Sequence, residues 1–179
     1  MRGNLALQSE TTHGYAALSN CMGKLVRDEP FYGHIIVQLE SRTLLTTTKT
    51  NTIGVGIDEQ GYYLVIHPEF FFEQLESDRQ RVAVLKHEAL HIVFDHVYTG
   101  QEHRGWVARI FNIAADIVVN QYINPEDLPK SAVTISDFPE LNLKPWKSVD
   151  YYFKILQKKM FNNVEINVKL LLKVVSVVI

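Results

Sequence analysis

Two histidines with a glutamate between them are the residues of this sequence best suited to chemistry. His87 and His91 are four positions apart, and Glu88 directly follows the first of them. On a helix each residue turns the chain by about 100°, so the two imidazoles project from the same side, one turn apart. This spacing lets both rings bind one Zn²⁺, while Glu88 stays free to take a proton from a water molecule. The pattern predicts a hydrolytic metal site; the alternative is a chance spacing on an ordinary helix.

The flanking sequence has the signals of a helix that carries this pattern. Ser77 is followed three positions later by Gln80, which is the pattern of a capping box at a helix N-terminus. Apolar residues then recur at helical spacing, and nothing interrupts them before Thr99-Gly100. We therefore predict one continuous helix between these two signals. On its helical wheel His87 and His91 lie opposite the apolar face, on the more polar side, so we do not expect them in the core.

A catalytic zinc site needs a third protein ligand and an open position for water. His96 is the nearest candidate, but on a continuous helix it points about 140° away from His91. No glycine or proline between them favours a break. We therefore expect His96 to be a partly buried structural histidine and keep it as a less favoured ligand. His103, in the loop predicted after the helix, is a less favoured ligand or hydrogen-bond donor, and a solvated surface position is expected for it.

The next helix supplies a better third ligand. Residues 110–123 are largely apolar and are stopped by Asn124-Pro125, yet Asn112, Asp116 and Asn120 recur there at every fourth position. A buried helix does not carry such a polar stripe without partners, because an unpaired buried polar group is costly. We predict that Asp116 is the third ligand and that Asn112 or Asn120 holds the ligand side chains in place. A hydrogen-bonded polar seam between helices is the alternative.

Two stretches around these residues resemble a metallopeptidase domain found in bacteria and their phages. They are residues 86–96 and 111–120, where an HExxH pattern is paired with an Asn-x-Ala-x-Asp pattern, and looser similarity extends over roughly residues 28 to 157. The resemblance implies a zincin-like fold with two histidine ligands, a glutamate as general base, and Asp116 as the third ligand. In many relatives a von Willebrand factor A-like domain follows, which makes a separate protein of that kind a possible partner.

Composition and charge narrow the class of protein. A chain of 179 residues, 46% of them hydrophobic, can bury the core of one domain. The formal charge of −2 gives no reason to expect nucleic acid or an anionic membrane as a partner. Cys21 is the only cysteine, so no internal disulfide forms, and the first residues show no apolar signal-peptide core. We expect a cytoplasmic location.

The remaining periodicities predict an α+β fold that is mainly helical. Helices are expected over residues 10–27 and 148–159 and, as a short piece, over 70–75. Residues 52–57 and 62–66 are predicted to form a hairpin. The resemblance to zincins implies that a strand lies beside the metal-site helix, where an exposed edge would recruit an extended peptide by strand addition. Residues 33–39 fit helix or strand, and the prolines between 125 and 145 indicate an extended surface segment. We assign residues 1–160 to one metallopeptidase-like domain and 161–179 to an apolar C-terminal segment of uncertain role.

The function predicted from these residues is zinc-dependent hydrolysis of a peptide or protein substrate. Glu88 is expected to act as general base, and a donor for the developing oxyanion is expected among Tyr98, His103, Arg104 and Tyr122. Two alternatives stay open: a non-catalytic zinc scaffold that binds a partner, and a hydrolase of a non-protein amide. Structural zinc sites prefer cysteine ligands, which disfavours the scaffold.

Overall fold

The computed structural model describes the backbone of residues 2–161 and the side chains of residues 14–159. The fold is a mixture of helices and a small sheet, as predicted. The helices are α1 (Arg2–Asp28), α2 (Pro30–Val37), α3 (Asp78–Val93), α4 (His96–Gly100), α5 (Gly105–Asn120) and α6 (Val149–Phe161). The strands are β1 (Thr43–Leu45), β2 (Ile53–Asp58) and β3 (Gly61–Ile66). The apolar run at 168–179 lies outside the described residues.

The sheet has three strands in the order β1-β3-β2. Strand β1 is parallel to β3, whereas β2 and β3 form the predicted antiparallel hairpin, with Asp58 opposite Gly61 at its turn. Gly61 has a φ of 104°, a conformation that glycine adopts at little cost. The strand order places β2 at an edge of the sheet. This strand packs beside α3 and α4.

Two large hydrophobic clusters make up most of the core of the described residues. The first fills the space between α1, α2, the sheet and α3, and the second joins α5 and α6 to the segment after α5. That segment was predicted to run over the surface, but Val133, Phe138 and Leu143 are buried in the second cluster, because apolar residues alternate there with turns. A smaller cluster formed by Leu90 and Val119 with their neighbours holds α3 and α5 together.

The N-terminus of α3 is capped by the predicted serine. The Oγ atom of Ser77 accepts a hydrogen bond from the backbone of Gln80 at 3.2 Å. The side chain of Gln80 accepts a bond from the backbone of Glu76 at 2.8 Å, one residue earlier than a capping box requires. The cap fixes where the helix begins and so sets the faces on which its later residues project.

The continuous helix predicted through Thr99 is wrong, because α3 ends at Val93 and α4 begins at His96. Asp95 between them adopts a left-handed conformation, with a φ of 59°. Aspartate is one of the few residues other than glycine that visit this region with some frequency. The backbone N–H of Asp95 donates to the carbonyl of Ile92, which closes α3 with a tight turn. The chain therefore changes direction immediately before His96.

Other elements differ from the prediction in smaller ways. Residues 30–37, left undecided between helix and strand, form a helix, and the expected short helix near residue 70 is a single π-helical turn, Glu69–Gln74. Helix α5 begins at Gly105, five residues before the apolar pattern indicated. Within the described part of the chain, no helix is long and apolar enough to cross a membrane.

Candidate metal centre

Helices α3 and α5 bring three predicted ligand residues together. The Nε2 atoms of His87 and His91 lie 2.9 Å apart. The Oδ1 atom of Asp116 lies 3.4 Å from the first of these nitrogens and 3.2 Å from the second. The three residues are 0–4% exposed. They form a compact triangle of donor atoms that could hold a metal ion.

The spacing and chemistry of this triangle fit a zinc ion. Zinc bonds of about 2.0–2.1 Å in a tetrahedral arrangement separate neighbouring ligand atoms by roughly 3.3 Å, and the observed separations are 2.9–3.4 Å. Neither carboxylate oxygen of Asp116 has a hydrogen-bond partner, although both are buried. Buried acceptors left without a donor are destabilising, and a cation would satisfy them. Two imidazoles with one carboxylate are also a donor set of catalytic zinc sites.

His87 is oriented by an amide on α5. Its Nδ1 atom lies 2.8 Å from Oδ1 of Asn120, whose Nδ2 atom donates to the carbonyl of Val133 at 2.7 Å. Because a carbonyl only accepts, the NH₂ group of Asn120 must face Val133, and its oxygen must face the histidine. His87 therefore donates from Nδ1, which leaves Nε2 directed at the candidate metal position.

His91 is contacted by a second imidazole instead. Its Nδ1 atom lies 3.3 Å from Nδ1 of His96. The prediction that His96 points away from His91 is wrong, because the left-handed turn at Asp95 redirects the chain. Burial, followed by the neighbouring charge of His91, lowers the pKa of His96 to about 3, so this imidazole is neutral near pH 7. It is 3% exposed, more deeply buried than predicted.

Glu88 lies beside the triangle with its Oε2 atom buried and without a partner. Its pKa is raised from the ordinary 4.5 to about 7, mainly by burial. The charge of His87 and a hydrogen bond from the backbone of Val55 oppose this rise, and the charge of Asp116 adds to it. Val55 belongs to β2, so the edge strand lies next to this carboxyl group. A carboxyl group with a pKa near neutrality can both take up and release a proton under ordinary conditions.

The three clustered side chains also shift one another's pKa. Burial raises the pKa of Asp116, but the close contacts and charge interactions with the two imidazoles outweigh burial and hold it below its usual value. Burial lowers the pKa of His87, and its contacts with Asp116 reverse this and raise it. The pKa of His91 falls because of burial and then the charge of His87.

The other predicted residues lie outside this triangle. Asn112 is buried on the α5 stripe, and its Oδ1 atom has no partner among the described residues. His103 packs between Phe111 and Phe153, with ring centroids at 4.8 Å and 5.0 Å.

The remaining candidate oxyanion donors have other contacts. Arg104 donates to backbone carbonyls of its own loop, including that of His103 at 2.8 Å. Tyr98 is exposed. Tyr122 packs against the rings of Phe94 and Trp146. None of these contacts selects one of the four as the donor, so that choice stays a prediction.

The sequence analysis missed three features of the site: the contact of His96 with His91, the bond from Val55 to Glu88, and the anchoring of Asn120 by Val133. Only the first had a local signal, the aspartate before His96. The other two join residues far apart in the sequence, and spacing alone carries no information about them.

The chain belongs to the family described as "Putative metallopeptidase domain", whose family model matches residues 14–165. The match contains all the residues of the metal centre and confirms the family resemblance on which the prediction relied. No curated protein and no solved structure matches the chain.

Proposed function

We propose that the protein is a zinc-dependent metallopeptidase that hydrolyses peptide bonds with Glu88 as its general base. The observation that carries the proposal is the convergence of two imidazole nitrogens with carboxylate oxygens that are buried and unpaired. Membership of a metallopeptidase family supports the same reaction class. Zinc is favoured over magnesium or calcium because imidazole nitrogens are poor ligands for those two ions.

In this proposal the three clustered side chains hold the metal. His87 and His91 bind through Nε2, and Asp116 binds through its carboxylate. A bound zinc ion supplies Lewis acidity toward a carbonyl group and lowers the pKa of a water molecule to about 7. Asn120 keeps the ring of His87 in the orientation that binding requires, because it accepts the Nδ1 proton and is itself anchored to Val133.

Glu88 moves the proton during hydrolysis. Its Oε2 atom has no competing partner, so it can accept a proton from the attacking water. The same oxygen then donates that proton to the nitrogen of the leaving amine. A pKa near 7 suits both steps, because the group is neither too weak a base nor too weak an acid.

We propose that the substrate is an extended peptide or protein segment that lies along β2. This strand is at the edge of the sheet and contacts Glu88 through Val55. The carbonyl of Ile57 is bonded to the side chain of Gln101 at 3.5 Å, a long contact that a substrate N–H can replace. Backbone pairing of this kind would present a scissile bond next to the general base.

A non-catalytic zinc scaffold is the second candidate, and the burial of the site favours it. His87, Glu88, His91 and Asp116 are at most 4% exposed, whereas a catalytic site must admit a substrate. A scaffold would use the metal to hold α3 against α5 and present a surface to a partner, for which a von Willebrand factor A-like protein stays a prediction. Hydrolysis of a non-protein amide remains the alternative substrate class, and the cytoplasmic location also stays a prediction.

Zinc content and peptide cleavage of the wild type and of Glu88→Gln distinguish these functions. We expect the wild type to bind one zinc ion per chain and to cleave members of a mixed peptide library. Glu88→Gln should keep the zinc and lose cleavage, whereas Glu73→Gln, which changes an exposed glutamate, should keep both. A wild type that binds zinc but cleaves no peptide would support the scaffold, and one that binds no zinc would refute both functions.

A further inference from the structure

One polar contact of the metal centre has no part in the proposed function, and it joins two imidazoles. The Nδ1 atoms of His91 and His96 lie 3.3 Å apart, and the ring centroids are separated by 5.3 Å. Both rings are buried. Two nitrogens at this distance form a hydrogen bond only if one carries a proton and the other offers a lone pair.

We propose that His96 is a positioning residue whose Nδ1 atom accepts a hydrogen bond from Nδ1–H of His91. This bond fixes the ring of His91 so that Nε2 faces the metal. The inference rests on the proposed function in one respect, namely that a metal binds at His87, His91 and Asp116. Metal-binding histidines usually donate this proton to a carboxylate, a backbone carbonyl or a water molecule; here a neutral imidazole takes that place.

The direction of the hydrogen bond follows from the other nitrogen of His91. Its Nε2 atom lies 2.9 Å from Nε2 of His87 and 3.2 Å from Oδ1 of Asp116, so it is the atom that faces the metal position. A metal-binding nitrogen must carry a lone pair, and the ring proton is then on Nδ1. Among the residues whose side chains are described, the acceptor within reach of that proton is Nδ1 of His96, whose own proton must then be on Nε2.

The residues around His96 hold its ring in place and exclude water from it. The ring lies 5.6 Å from that of Phe94 and 6.3 Å from that of Phe111, measured between centroids. With 3% of the residue exposed, bulk water has little access to the contact with His91. Loss of the imidazole would therefore leave a buried N–H without an acceptor, which is unfavourable.

The local backbone explains how a residue five positions after His91 reaches it. On an unbroken helix the two side chains would point about 140° apart. The left-handed conformation of Asp95 ends α3 and starts α4, and this turn swings His96 back against His91. His91 and His96 are therefore in contact only because the helix is broken at Asp95, between them.

Three substitutions separate the hydrogen bond from simple packing. His96→Asn keeps an acceptor at the place of Nδ1, since the amide oxygen of asparagine is attached to the same carbon. His96→Phe keeps the ring volume and removes the acceptor. His103→Phe is the matched control, because this histidine also packs against Phe111 but lies outside the metal centre. If His96→Phe does not fold, His96→Gln replaces it, with its amide at the place of Nε2.

The measurements are the zinc dissociation constant by chelator competition, the visible spectrum of the Co²⁺-loaded protein, and urea unfolding of the metal-free protein. We expect His96→Phe to weaken zinc binding by about 10–100-fold and to change the cobalt spectrum, because the geometry at His91 relaxes. His96→Asn should recover most of the affinity and the wild-type spectrum. His103→Phe should leave both unchanged.

Other outcomes overturn the inference, and the first two leave the ligand set of the proposed function untouched. Equal zinc affinity and spectra in wild type and His96→Phe would show that the contact is not needed. Equal losses in His96→Asn and His96→Phe, seen only in urea unfolding, would assign a packing role. Complete loss of zinc in His96→Asn with zinc retained in Asp116→Ala would make His96 a ligand. A wild type that binds no zinc would instead refute the proposed function.

Discussion

The two imidazoles of the metal centre are held by different kinds of structure. His87 is held from α5 by Asn120, whose amide oxygen faces the histidine and whose NH₂ group donates to the carbonyl of Val133. His91 is held from α4 by His96, an imidazole placed among aromatic rings. One side depends on the packing of two regular helices, and the other depends on a single backbone conformation between two helices.

Because of this difference, substitutions on the two sides should affect folding stability and metal binding differently. The Asn120 side is part of a buried hydrogen-bond network, and removing the whole amide leaves both His87 and Val133 unpaired, so folding stability and metal binding should fall together in that case. Among the described residues, the imidazole of His96 has no hydrogen-bond partner other than His91. A change there should alter the geometry at the metal more than the stability of the fold.

Removal of the residue common to both sides should have the largest effect. Asp116 faces both Nε2 atoms, so Asp116→Asn should weaken zinc binding by more than about 100-fold, beyond the 10–100-fold expected for residues that only support a ligand. Chelator competition measures this. Glu126→Gln, a change of an exposed carboxylate, is the control. Undiminished zinc affinity in Asp116→Asn would show that the metal is held elsewhere.

Glu88 belongs to neither side, and its effect should appear in the pH dependence of stability. Its pKa is about 7 in the folded protein and 4.5 as the ordinary value. Below pH 4.5 the group is protonated in both states. As the pH rises from 4.5 to 7 the unfolded state ionises while the folded state stays largely protonated, so the folded state loses stability; the loss reaches about 3 kcal/mol above pH 7, at about 1.36 kcal/mol per pH unit.

Urea unfolding of the metal-free protein between pH 4.5 and pH 8 tests this. Glu88→Gln cannot ionise, so its stability relative to the wild type should increase by about 3 kcal/mol over this range. Glu73→Gln, at an exposed position, should show no comparable trend. A difference between Glu88→Gln and wild type that stays constant with pH would mean that burial does not raise the pKa of Glu88.

Two substitutions of Asn120 should separate metal binding from folding on the His87 side. Asn120→Ala removes the acceptor for Nδ1 of His87 and should weaken zinc binding by about 10–100-fold. Asn120→Asp keeps that acceptor but cannot donate to Val133, so it should retain most of the zinc affinity and lose about 1–3 kcal/mol of stability. Equal zinc affinities in the two variants would contradict the role assigned to this amide.

The same contrast explains which parts of the site could be predicted from the sequence. His87, His91 and the stripe of Asn112, Asp116 and Asn120 repeat at helical spacing, and regular helices turn such spacing into shared faces. The structure brings three of these residues together, although on a buried face and not the polar one expected.

The position of His96 could not be predicted in that way, because helical periodicity assumes an unbroken helix. The break falls on an aspartate and not on glycine or proline, the residues taken as signals of a break. Contacts between distant segments, such as Val133 with Asn120 and Val55 with Glu88, depend on how whole elements pack and leave no local pattern.

Substitutions of Asp95 should have the smallest effect and test the His91 side alone. Asp95→Gly should be tolerated, because glycine adopts a φ of 59° without strain. Asp95→Ala should cost about 1–2 kcal/mol in urea unfolding, since a Cβ atom is disfavoured in this conformation. Asp95→Val should add strain and weaken zinc binding, because a shift of the turn carries His96 away from His91.

Combining changes on the two sides decides whether Asp95 acts through His96. Asp95→Val should weaken zinc binding little further when His96→Phe has already removed the acceptor, because both changes break the same contact. Its effect should add to that of Asn120→Ala, which acts on the other imidazole. Chelator competition on the two double variants measures both cases. Additivity in both would mean that the left-handed turn affects the metal by a route other than His96, whereas non-additivity with Asn120→Ala would mean that the two sides are not as separate as their hydrogen bonds indicate.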